Sequence, residues 1–222
     1  MISRKAEQMF GSSGGSGVAT FESRGSYDAR INRILEVATG VIARVGYERA
    51  SMRVVAKAAG TSLAGLYHYF DSKEKMLFLI QFRTFNSLLN NLKEKLHGVE
   101  DPVRQLEVMV RSHMGYFAAN MAALKVCSHE LDSLAGEAYE QTRAIRREYY
   151  ELTRGIVERV LDAAATAPAL DRHVVTMSLF GMLNWLYRWY DPKRGRSPAV
   201  VADQIVSLFL HGIGAAAAAP AA

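Results

Sequence analysis

The chain has 222 residues, a net charge of +5 and a pI near 9.3, and half of its residues are hydrophobic. This hydrophobic share allows a substantial core and excludes wholesale disorder, whereas the mild basic charge suits an anionic partner without identifying one. The single cysteine, Cys127, excludes an intramolecular disulfide and a cysteine-based metal cluster.

The sequence also bears on where the protein acts. No apolar run reaches the roughly 18 residues that a membrane span needs. The N-terminus lacks the uninterrupted apolar core of a signal peptide. With one cysteine and no export signal, a reducing cytoplasm is the expected location.

Residues 1–26 are rich in glycine and serine, with GSSGGSG at positions 11–17, and this composition predicts a flexible arm. The arm carries Arg4, Lys5 and Arg24, which suit a contact with a DNA minor groove or phosphate. A disordered tail or an expression remnant explains the composition more simply. We therefore assign the arm no definite role.

A helical pattern begins at Asp28. Gly46 is a suitable stop for this helix, which is expected to be the floor of an N-terminal domain spanning residues 27–74. Apolar residues at spacings of three and four predict its buried stripe: Ile31, Ile34, Leu35, Ala38, Val41, Ile42 and Val45.

Two short helices are predicted within Met52–Phe70, joined by a tight turn at Gly60-Thr61-Ser62, with Ser51 as the N-cap of the first. This layout is that of a helix-turn-helix, which presents its second helix to the DNA major groove. The expected buried residues are Val54, Val55 and Ala58 in the first helix and Leu63, Leu66 and Phe70 in the second.

The opposite face of the second short helix combines small residues with rings and hydroxyls. Small residues let the backbone approach another surface, and hydroxyls and rings can then reach phosphates and base edges. The residues of this face are Ser62, Ala64, Gly65, Tyr67 and His68.

The segment after the second short helix is expected to start a long helix. Asp71 is predicted to be its N-cap, with Glu74 returning the bond as in a capping box. Lys73 then lies in the first turn, against the helix dipole, which favours a nearby phosphate over a solvated lysine. The eight Lys or Arg against five Asp or Glu between Asp28 and Lys75 agree with phosphate contact.

The remainder of the chain, residues 75–214, also reads as helical, and no stretch alternates long enough for a strand. An all-α fold of about nine helices is therefore predicted, with residues 215–222 as a frayed tail. The expected long helices run from about Ser72 to Gly98, Asp101 to Leu134, Gly136 to Ala165, Asp171 to Tyr190 and Pro198 to Gly212, with a break at Ala167-Pro168.

The segment from about Asp28 to Ile80, through VVAKAAGTSLAGLYHYFDSKEKML, resembles the TetR family of bacterial transcriptional repressors. The family pattern is an apolar-Ala-x-x-Ala-Gly-x-Ser turn, then Leu-Tyr-x-x-Phe and Ser-Lys-Glu. The matching positions are Val55-Ala56, Ala59-Gly60, Ser62, Leu66-Tyr67, Phe70 and Ser72-Lys73-Glu74. Leu63 departs from the pattern, because a lysine or another polar residue is usual there, and this makes the operator sequence hard to predict.

The resemblance implies a DNA-binding N-terminal domain and a helical C-terminal domain that dimerises and binds a small effector. By the same match, Tyr67, Tyr69 and Lys73 would contact phosphates, and Ser51 and Arg53 would add contacts. Ser62, Ala64, Gly65 and His68 would face bases or the adjacent backbone. The C-terminal half, with FGMLNWLYRWYDP and SPAVVADQIVSLFLHGI, is loosely similar to members that respond to fatty acids and acyl-CoA.

For the effector pocket the sequence offers composition rather than a motif. Apolar residues of several helices could line a long cavity, although plain core packing explains any single one of them more simply. Arg143, Arg146, Arg147 and Arg188 could hold the phosphates of an acyl-CoA, or be a solvated face. The proposed pocket residues are Leu88, Leu92, Met109, His113, Met114, Phe117, Met121, Arg146 and Trp185.

The last two predicted helices carry broad apolar stripes, which favour pairing with a symmetry mate in a four-helix dimer interface. The alternative is that these stripes are covered within one subunit, and the family resemblance favours the dimer. The proposed interface residues are Met177, Ser178, Gly181, Met182, Ile205, Leu208 and Phe209, with Val174, Trp185 and Val201 on the same stripes.

Catalysis finds no support in the sequence. The six histidines are dispersed, and there is no metal-binding spacing, phosphate loop or nucleophile elbow, so we expect no catalytic residue, no metal and no cofactor. The predicted function is a cytoplasmic, homodimeric repressor that binds a palindromic operator and is released by a small hydrophobic effector, such as an acyl-CoA or a fatty acid. The alternatives are an activator or a constitutive DNA-binding protein, and a helical enzyme or interaction scaffold with an accessory helix-turn-helix.

Overall fold

The computed structural model describes residues 18–164, 170–191, 193 and 195–218, and it confirms the all-α prediction. Within these residues the chain forms helices and connecting turns, with no strand. The helices are α1 Val18–Val45, α2 Met52–Ala58, α3 Leu63–Tyr69, α4 Lys73–Leu96, α5 Pro102–Ala119, α6 Met121–His129, a short 3-10 turn Leu131–Ser133, α7 Gly136–Ala163, α8 Arg172–Asn184, α9 Leu186–Trp189 and α10 Pro198–Ala218.

Helix α1 is longer than predicted. It begins at Val18 rather than Asp28, so residues 18–26 of the expected arm are helical, while residues 1–17 lie outside the described part of the chain. The prediction looked for an apolar stripe, which the sequence before Asp28 lacks. Once a helix is nucleated, each further residue adds one hydrogen bond, so the helix extends beyond the stripe that nucleates it.

The N-terminal core forms where α2 and α3 pack on α1. Six of the seven stripe residues of α1 are buried, and Val45 is half-buried. Leu66 of α3 and Phe70, which directly follows it, are buried as expected, whereas Leu63 is half-buried. The prediction for α2 is wrong at Val54, which is 43% exposed, and at the exposed Ala58; the buried residues of this helix are Met52, Val55 and Ala56.

The predicted cap of α4 is also wrong by one residue. Ser72, not Asp71, is the N-cap, and its hydroxyl accepts a hydrogen bond from the Lys75 N–H at 3.0 Å. Glu74 does not return a capping bond, because its carboxylate accepts the Ala135 N–H at 2.9 Å. A serine preceded by an aspartate offers two candidate caps, and the register of α4 decides between them.

The N-terminal core extends past the boundary expected at residue 74. Met76, Leu77 and Ile80 of α4 belong to it, and so do Val126 at the end of α6 and Leu134 just before α7. Helix α6 packs against α1. We call residues 27–70 with these added side chains the head, and the remaining helical part the body.

The body is built around α4, α5 and α7, which pack on one another, with α10 against α5 and α8 against α7. The segment expected to be one helix from Asp101 to Leu134 is broken at Asn120, whose amide donates to the Tyr116 carbonyl at 2.8 Å. A second break at Trp185 separates α8 from α9.

The ends of the body helices differ slightly from prediction. Helix α7 ends at Ala163, and the expected break at Ala167-Pro168 lies outside the described residues. Helix α10 continues to Ala218, past the predicted end at Gly212, because alanine is the strongest helix former.

Candidate functional site

Helix α3 presents the face that the sequence predicted for DNA. Leu66 anchors the helix with a fully buried side chain, whereas Tyr67 is 48% exposed and Ala64 and His68 are exposed. Ser62 is the N-cap, and its hydroxyl accepts the Gly65 N–H at 2.9 Å. The arrangement sets small residues at the start of the helix and a ring and an imidazole one turn later, all facing outward.

The start of α3 depends on Gly60 in the preceding turn and on Gly65 in its first turn, for different reasons. Gly60 has a φ of +62°, in the left-handed region that favours glycine. A Cβ on Gly65 would lie 2.8 Å from the Thr61 hydroxyl and 3.1 Å from the Ser62 hydroxyl. Gly65 is therefore needed by the cap of α3 itself, whether or not DNA approaches it.

Tyr69 and Lys73 have contacts within the head. The Tyr69 ring is half-buried and packs on Tyr27 of α1, with ring centres 5.2 Å apart. The Lys73 ammonium donates to the Tyr47 carbonyl at 3.1 Å and lies 3.9 Å from the centre of the Tyr47 ring. An alanine at Lys73 would therefore disturb the head as well as any phosphate contact, so Tyr67 is the cleaner test of DNA binding.

The two residues proposed at the start of α2 have different surroundings. Ser51 caps the helix, and its hydroxyl accepts the Val54 N–H at 3.3 Å. Arg53 is exposed. Ser51 thus positions α2, and the Arg53 guanidinium is free to extend toward a phosphate.

Most of the residues proposed for the effector pocket come together in the core of the body. This core also contains Tyr149 and Phe180, which sequence reasoning missed. Met121 packs at its edge, but Trp185 does not line it, because it is 55% exposed. The buried members of the proposed set are Leu88, Leu92, Met109, His113, Met114 and Phe117.

His113 is the main polar group at the centre of this core. Its Nδ1 lies 3.0 Å from the Tyr149 hydroxyl, and its ring packs edge-on to Phe117 with centres 4.8 Å apart. The other nitrogen, Nε2, has no hydrogen-bond partner. Burial lowers the pKa of His113 to about 4, and the nearby Asn184 amide opposes this shift only in part, so the ring is neutral at pH 7.

Arg146 lies at the head side of the same core. Its Nη1 donates to the Cys127 carbonyl at 2.7 Å, and its guanidinium lies 4.9 Å from the centre of the Phe85 ring. Burial lowers the pKa of this guanidinium, and the Cys127 thiol and Asp132 oppose the shift. The thiol of Cys127 is itself buried, which raises its pKa to about 12 and leaves it inert.

A periodic signal in α7 could have found the missing core residues. Thr142, Arg146, Tyr149 and Thr153 recur at spacings of three and four and form one polar stripe on an inward face. The charged RAIRREYYELTR segment hid this stripe, since polar residues on a helix are usually solvated.

The other basic candidates are surface residues. Arg143 and Arg147 lie 3.7 Å from Glu140 and Glu151, and their side chains are mostly exposed. Arg188 lies 5.5 Å from the centre of the Trp185 ring. None of the three is directed into the core cluster in the way that Arg146 is.

The residues proposed for dimerisation divide into two groups. Ile205 and Phe209 are only 7% and 8% exposed and pack in the core of their own subunit, as does Val201, so little of their side chains is left for a partner subunit. The opposite face of α10 is directed outward and carries Leu208, which is 69% exposed.

Helix α8 carries the broader exposed stripe. Met177 is 48% exposed, Ser178 and Gly181 are exposed, and Met182 is half-buried. Val174 and Trp185 extend the stripe at the same helical spacing. Trp185 therefore belongs to this surface and not to the effector cluster.

The described residues also bear on two other kinds of function. They contain no group of three or more His, Cys, Asp or Glu side chains that could hold a metal ion. No helix among them has both the length and the apolar character needed to cross a bilayer.

Comparison with known proteins agrees with this geometry. Residues 34–80 match the family model for bacterial regulatory proteins of the tetR family, and residues 99–213 match the model for a tetracyclin repressor-like C-terminal domain. The chain belongs to the TetR family. It is a DNA-binding transcriptional regulator of the repressor type, with a ligand-binding C-terminal domain.

Several relatives are matched by this TetR-family protein over more than nine-tenths of their own length. The HTH-type transcriptional repressor KstR2 of Rhodococcus jostii is 26% identical over 83% of this chain and 91% of its own. A TetR-family regulator from Bordetella parapertussis is 32% identical, with a TM-score of 0.76 over 81% of this chain and 93% of its own. AibR, solved in complex with isovaleryl coenzyme A and operator DNA, is 26% identical, with a TM-score of 0.72 over 81% of this chain and 97% of its own.

Proposed function

We propose that this TetR-family protein is a homodimer that binds a palindromic operator through α3 and leaves it when an acyl-CoA or a fatty acid enters the body. The proposal of DNA binding rests on the two faces of α3: Leu66 is fully buried, whereas Tyr67 and His68 lie on an outward face. In a two-fold dimer the two copies of α3 would enter successive major grooves about 34–36 Å apart.

The contacts of the head divide into two roles under this proposal. Tyr67, with Arg53, would bind phosphates, and Lys73 and Tyr69 would share phosphate contacts with their packing contacts in the head. Ser62, Ala64 and His68 would approach bases or the adjacent backbone. Ser51 and Gly65 would act mainly by positioning α2 and α3.

Tyr67 gives the direct test of DNA binding. The Tyr67→Ala variant is expected to bind operator at least about tenfold more weakly, because each subunit loses a hydrogen bond to a charged group. Its thermal unfolding should match that of the wild type, since the ring is 48% exposed. Fluorescence anisotropy with operator DNA measures the affinity, and Tyr67→Phe separates the hydroxyl from the ring.

The matched control is Trp189→Ala in the body, where the ring is 56% exposed. This variant should bind operator as the wild type does. Unchanged operator affinity in Tyr67→Ala at physiological salt would show that α3 is not the reading helix.

The effector class is supported by the relatives and by the composition of the core. Relatives include the Fatty acid metabolism regulator protein of Bacillus subtilis, 20% identical over 82% of this chain and 94% of its own, and AibR was solved with isovaleryl coenzyme A. The core cluster joins methionine, leucine and aromatic side chains with a neutral His113 and its unpartnered Nε2. Such a lining suits a long apolar ligand that carries a few polar atoms.

Release from DNA follows from differential affinity. Helix α4 begins in the head and ends in the body, so it can transmit a change in the body to the spacing of the two copies of α3. The effector acts only if it binds the DNA-incompetent arrangement more tightly than the DNA-bound one.

A titration of the operator complex tests this part. Acyl-CoAs of increasing chain length are expected to release labelled operator DNA in an anisotropy assay. Release by none of the acyl-CoAs or fatty acids would favour the alternative of an activator or a constitutive DNA-binding protein.

The exposed stripe of α8 supports the homodimer. Val174, Met177 and Trp185 are about half exposed in the single subunit, and Ser178 and Gly181 between them allow close helix approach. Leu208 of α10 is exposed as well. Sedimentation equilibrium should give twice the mass of one chain, and a monomer at micromolar concentration would contradict the proposal.

A further inference from the structure

The end of α6 is held by three side chains from the body, of which Tyr187 contacts the His129 ring and the other two donate to carbonyl groups. Arg146 of α7 donates through Nη1 to the Cys127 carbonyl at 2.7 Å. Gln81 of α4 donates through Nε2 to the Glu130 carbonyl at 2.9 Å. Cys127 lies in the last turn of α6, where carbonyl groups lack helical partners, and Glu130 directly follows the helix, where its carbonyl also accepts the Ser133 N–H at 3.4 Å.

The same short segment holds the head. The Glu130 carboxylate accepts the Tyr47 N–H at 3.2 Å, in the connection between α1 and α2. Val126 and Leu134, on either side of Glu130, are buried in the core of the head. A movement of residues 126–134 would therefore shift the connection that positions the helix-turn-helix.

Arg146 is an unusual group to find in this position. Its only hydrogen bond among the described residues goes to a neutral carbonyl, and no carboxylate there lies within 4.0 Å of it. A guanidinium has five N–H donors, so most of its hydrogen-bonding capacity is unused. A mostly buried cation gains far more from an oxyanion than from a carbonyl.

Two buried polar atoms without partners belong to residues one helical turn from Arg146 and from Phe85. Thr142 is one turn before Arg146 on the same face of α7, is fully buried, and its hydroxyl has no partner. Gln81 is one turn before Phe85 on α4, is also fully buried, and its Oε1 has no partner. Arg146 lies over the Phe85 ring, so Thr142 and Gln81 each precede by one turn a residue of this α4–α7 contact.

We propose that Arg146 is the oxyanion receptor of the effector site, and that its guanidinium exchanges between the Cys127 carbonyl and the anionic group of the effector. This rests on the proposed function, which supplies an acid or its CoA thioester as the ligand. The carboxylate of a free acid and a phosphate of the CoA moiety offer the same oxyanion chemistry.

The exchange explains how effector binding in the body changes the affinity of the head for DNA. In the free protein Arg146 fixes the end of α6, and Glu130 fixes the Tyr47 connection in turn. When the effector takes the guanidinium, the Cys127 carbonyl loses its donor, and the end of α6 keeps only the contacts of Gln81 and Tyr187 with the body. The head then loses the fixed orientation that operator binding requires.

The test compares Arg146→Gln with Arg146→Lys and with Arg147→Gln, the adjacent residue whose side chain is 76% exposed. The probes are octanoyl-CoA, palmitoyl-CoA, the two free acids and their methyl esters, with dissociation constants from calorimetry. Arg146→Gln should weaken binding of the charged probes at least about tenfold, which is the loss of one charge-assisted hydrogen bond. The methyl esters should bind this variant as they bind the wild type.

Three further outcomes are decisive. Arg146→Lys should keep part of the affinity and Arg147→Gln all of it, and the relative loss for acids and CoA thioesters identifies the source of the oxyanion. Equal binding of the charged probes by Arg146→Gln and wild type overturns the receptor role and leaves the proposed function standing. If the wild type binds none of the probes, the effector class is wrong and the exchange fails with it.

A ligand-free measurement tests the switch separately. Without effector, Arg146→Gln should already bind operator several-fold more weakly, and hydrogen exchange should rise in residues 121–134. Arg146→Lys should show a smaller change in both, and circular dichroism checks that each variant is folded. Wild-type exchange in this segment and wild-type operator affinity in Arg146→Gln would contradict the switch.

Discussion

The residues proposed to function in the head lie on its surface, whereas most of those proposed in the body lie inside its core. In the head, the residues proposed for DNA lie outward on a helix that a buried Leu66 holds in place. In the body, the residues proposed for the effector are inside, and His113, Met109 and Met114 are almost inaccessible. Substitutions of the proposed binding residues should therefore affect stability little in the head. In the body they should affect it more, because most of the proposed binding residues there also pack in the core.

The two regions are nevertheless one packed structure. The head has no closed core of its own, because α4, Val126 and Leu134 complete it. Its connection to α2 is fixed by Lys73 of α4 and by Glu130. Ligand control needs such shared parts, since a head with an independent core would not respond to events in the body.

The largest loss of stability is expected from a substitution in the core of the head. Leu66→Ala removes a side chain with no exposure and should lower the free energy of unfolding by about 2–5 kcal/mol. Because Leu66 lies in the core of the head, hydrogen exchange should rise more in α1–α3 than in α5 and α7. Urea unfolding followed by circular dichroism gives the total loss.

The neighbouring Ala64→Ser, on the exposed face of the same helix, is the control for helix propensity and should change stability by less than about 0.5 kcal/mol. Equal increases in exchange across both regions of Leu66→Ala would mean that the head and the body unfold as a single unit.

The next largest effect is a pH dependence of stability caused by a buried histidine of the body. The pKa of His113 is about 4 in the folded protein, below its ordinary value near 6.5, so the unfolded chain binds a proton that the folded chain does not. His113 therefore costs stability as the pH falls below about 6.5, by about 2 kcal/mol between pH 7.5 and pH 5. The His113→Gln variant should lose this part of the pH dependence in urea unfolding.

Tyr149→Phe is the matched variant for this measurement. It removes the hydroxyl that contacts His113 Nδ1 but keeps the ring buried, so the pH dependence should remain. If His113→Gln retained the wild-type slope between pH 7.5 and pH 5, the imidazole would not be held neutral by burial.

The same contrast explains how far the sequence predicts the structure. The surface of α3 follows from local rules, because an N-cap, a turn glycine and a three-four spacing leave one face for each residue. The effector side depends on which helix faces pack together. Trp185 and Phe209 show this, since both are apolar and adjacent to apolar stripes, yet one lies on the surface and the other in the core.

Polar residues of the body were the hardest to predict. Tyr149, Thr142 and Gln81 are buried in the α4–α7 contact or beside His113. The spacing of Thr142 and Tyr149 in α7 indicates one helical face, but it does not tell whether that face is buried or solvated. Arg146 was recognised only as one of several arginines. Its distinction is a tertiary one, because it alone among the four basic candidates reaches a carbonyl at the end of α6.

The smallest expected effect concerns the cap where the head meets the body. The Ser72 hydroxyl accepts the Lys75 N–H at 3.0 Å, whereas Asp71 is exposed beside it. Ser72→Ala should therefore lower the free energy of unfolding by about 1 kcal/mol, and Asp71→Ala by less than about 0.5 kcal/mol. Since α4 carries the change from the body to the head, Ser72→Ala should also loosen the first turn of α4 in hydrogen exchange and leave α5 unchanged. The reverse order of the two losses in urea unfolding would restore Asp71 as the cap and shift the start of α4 by one residue.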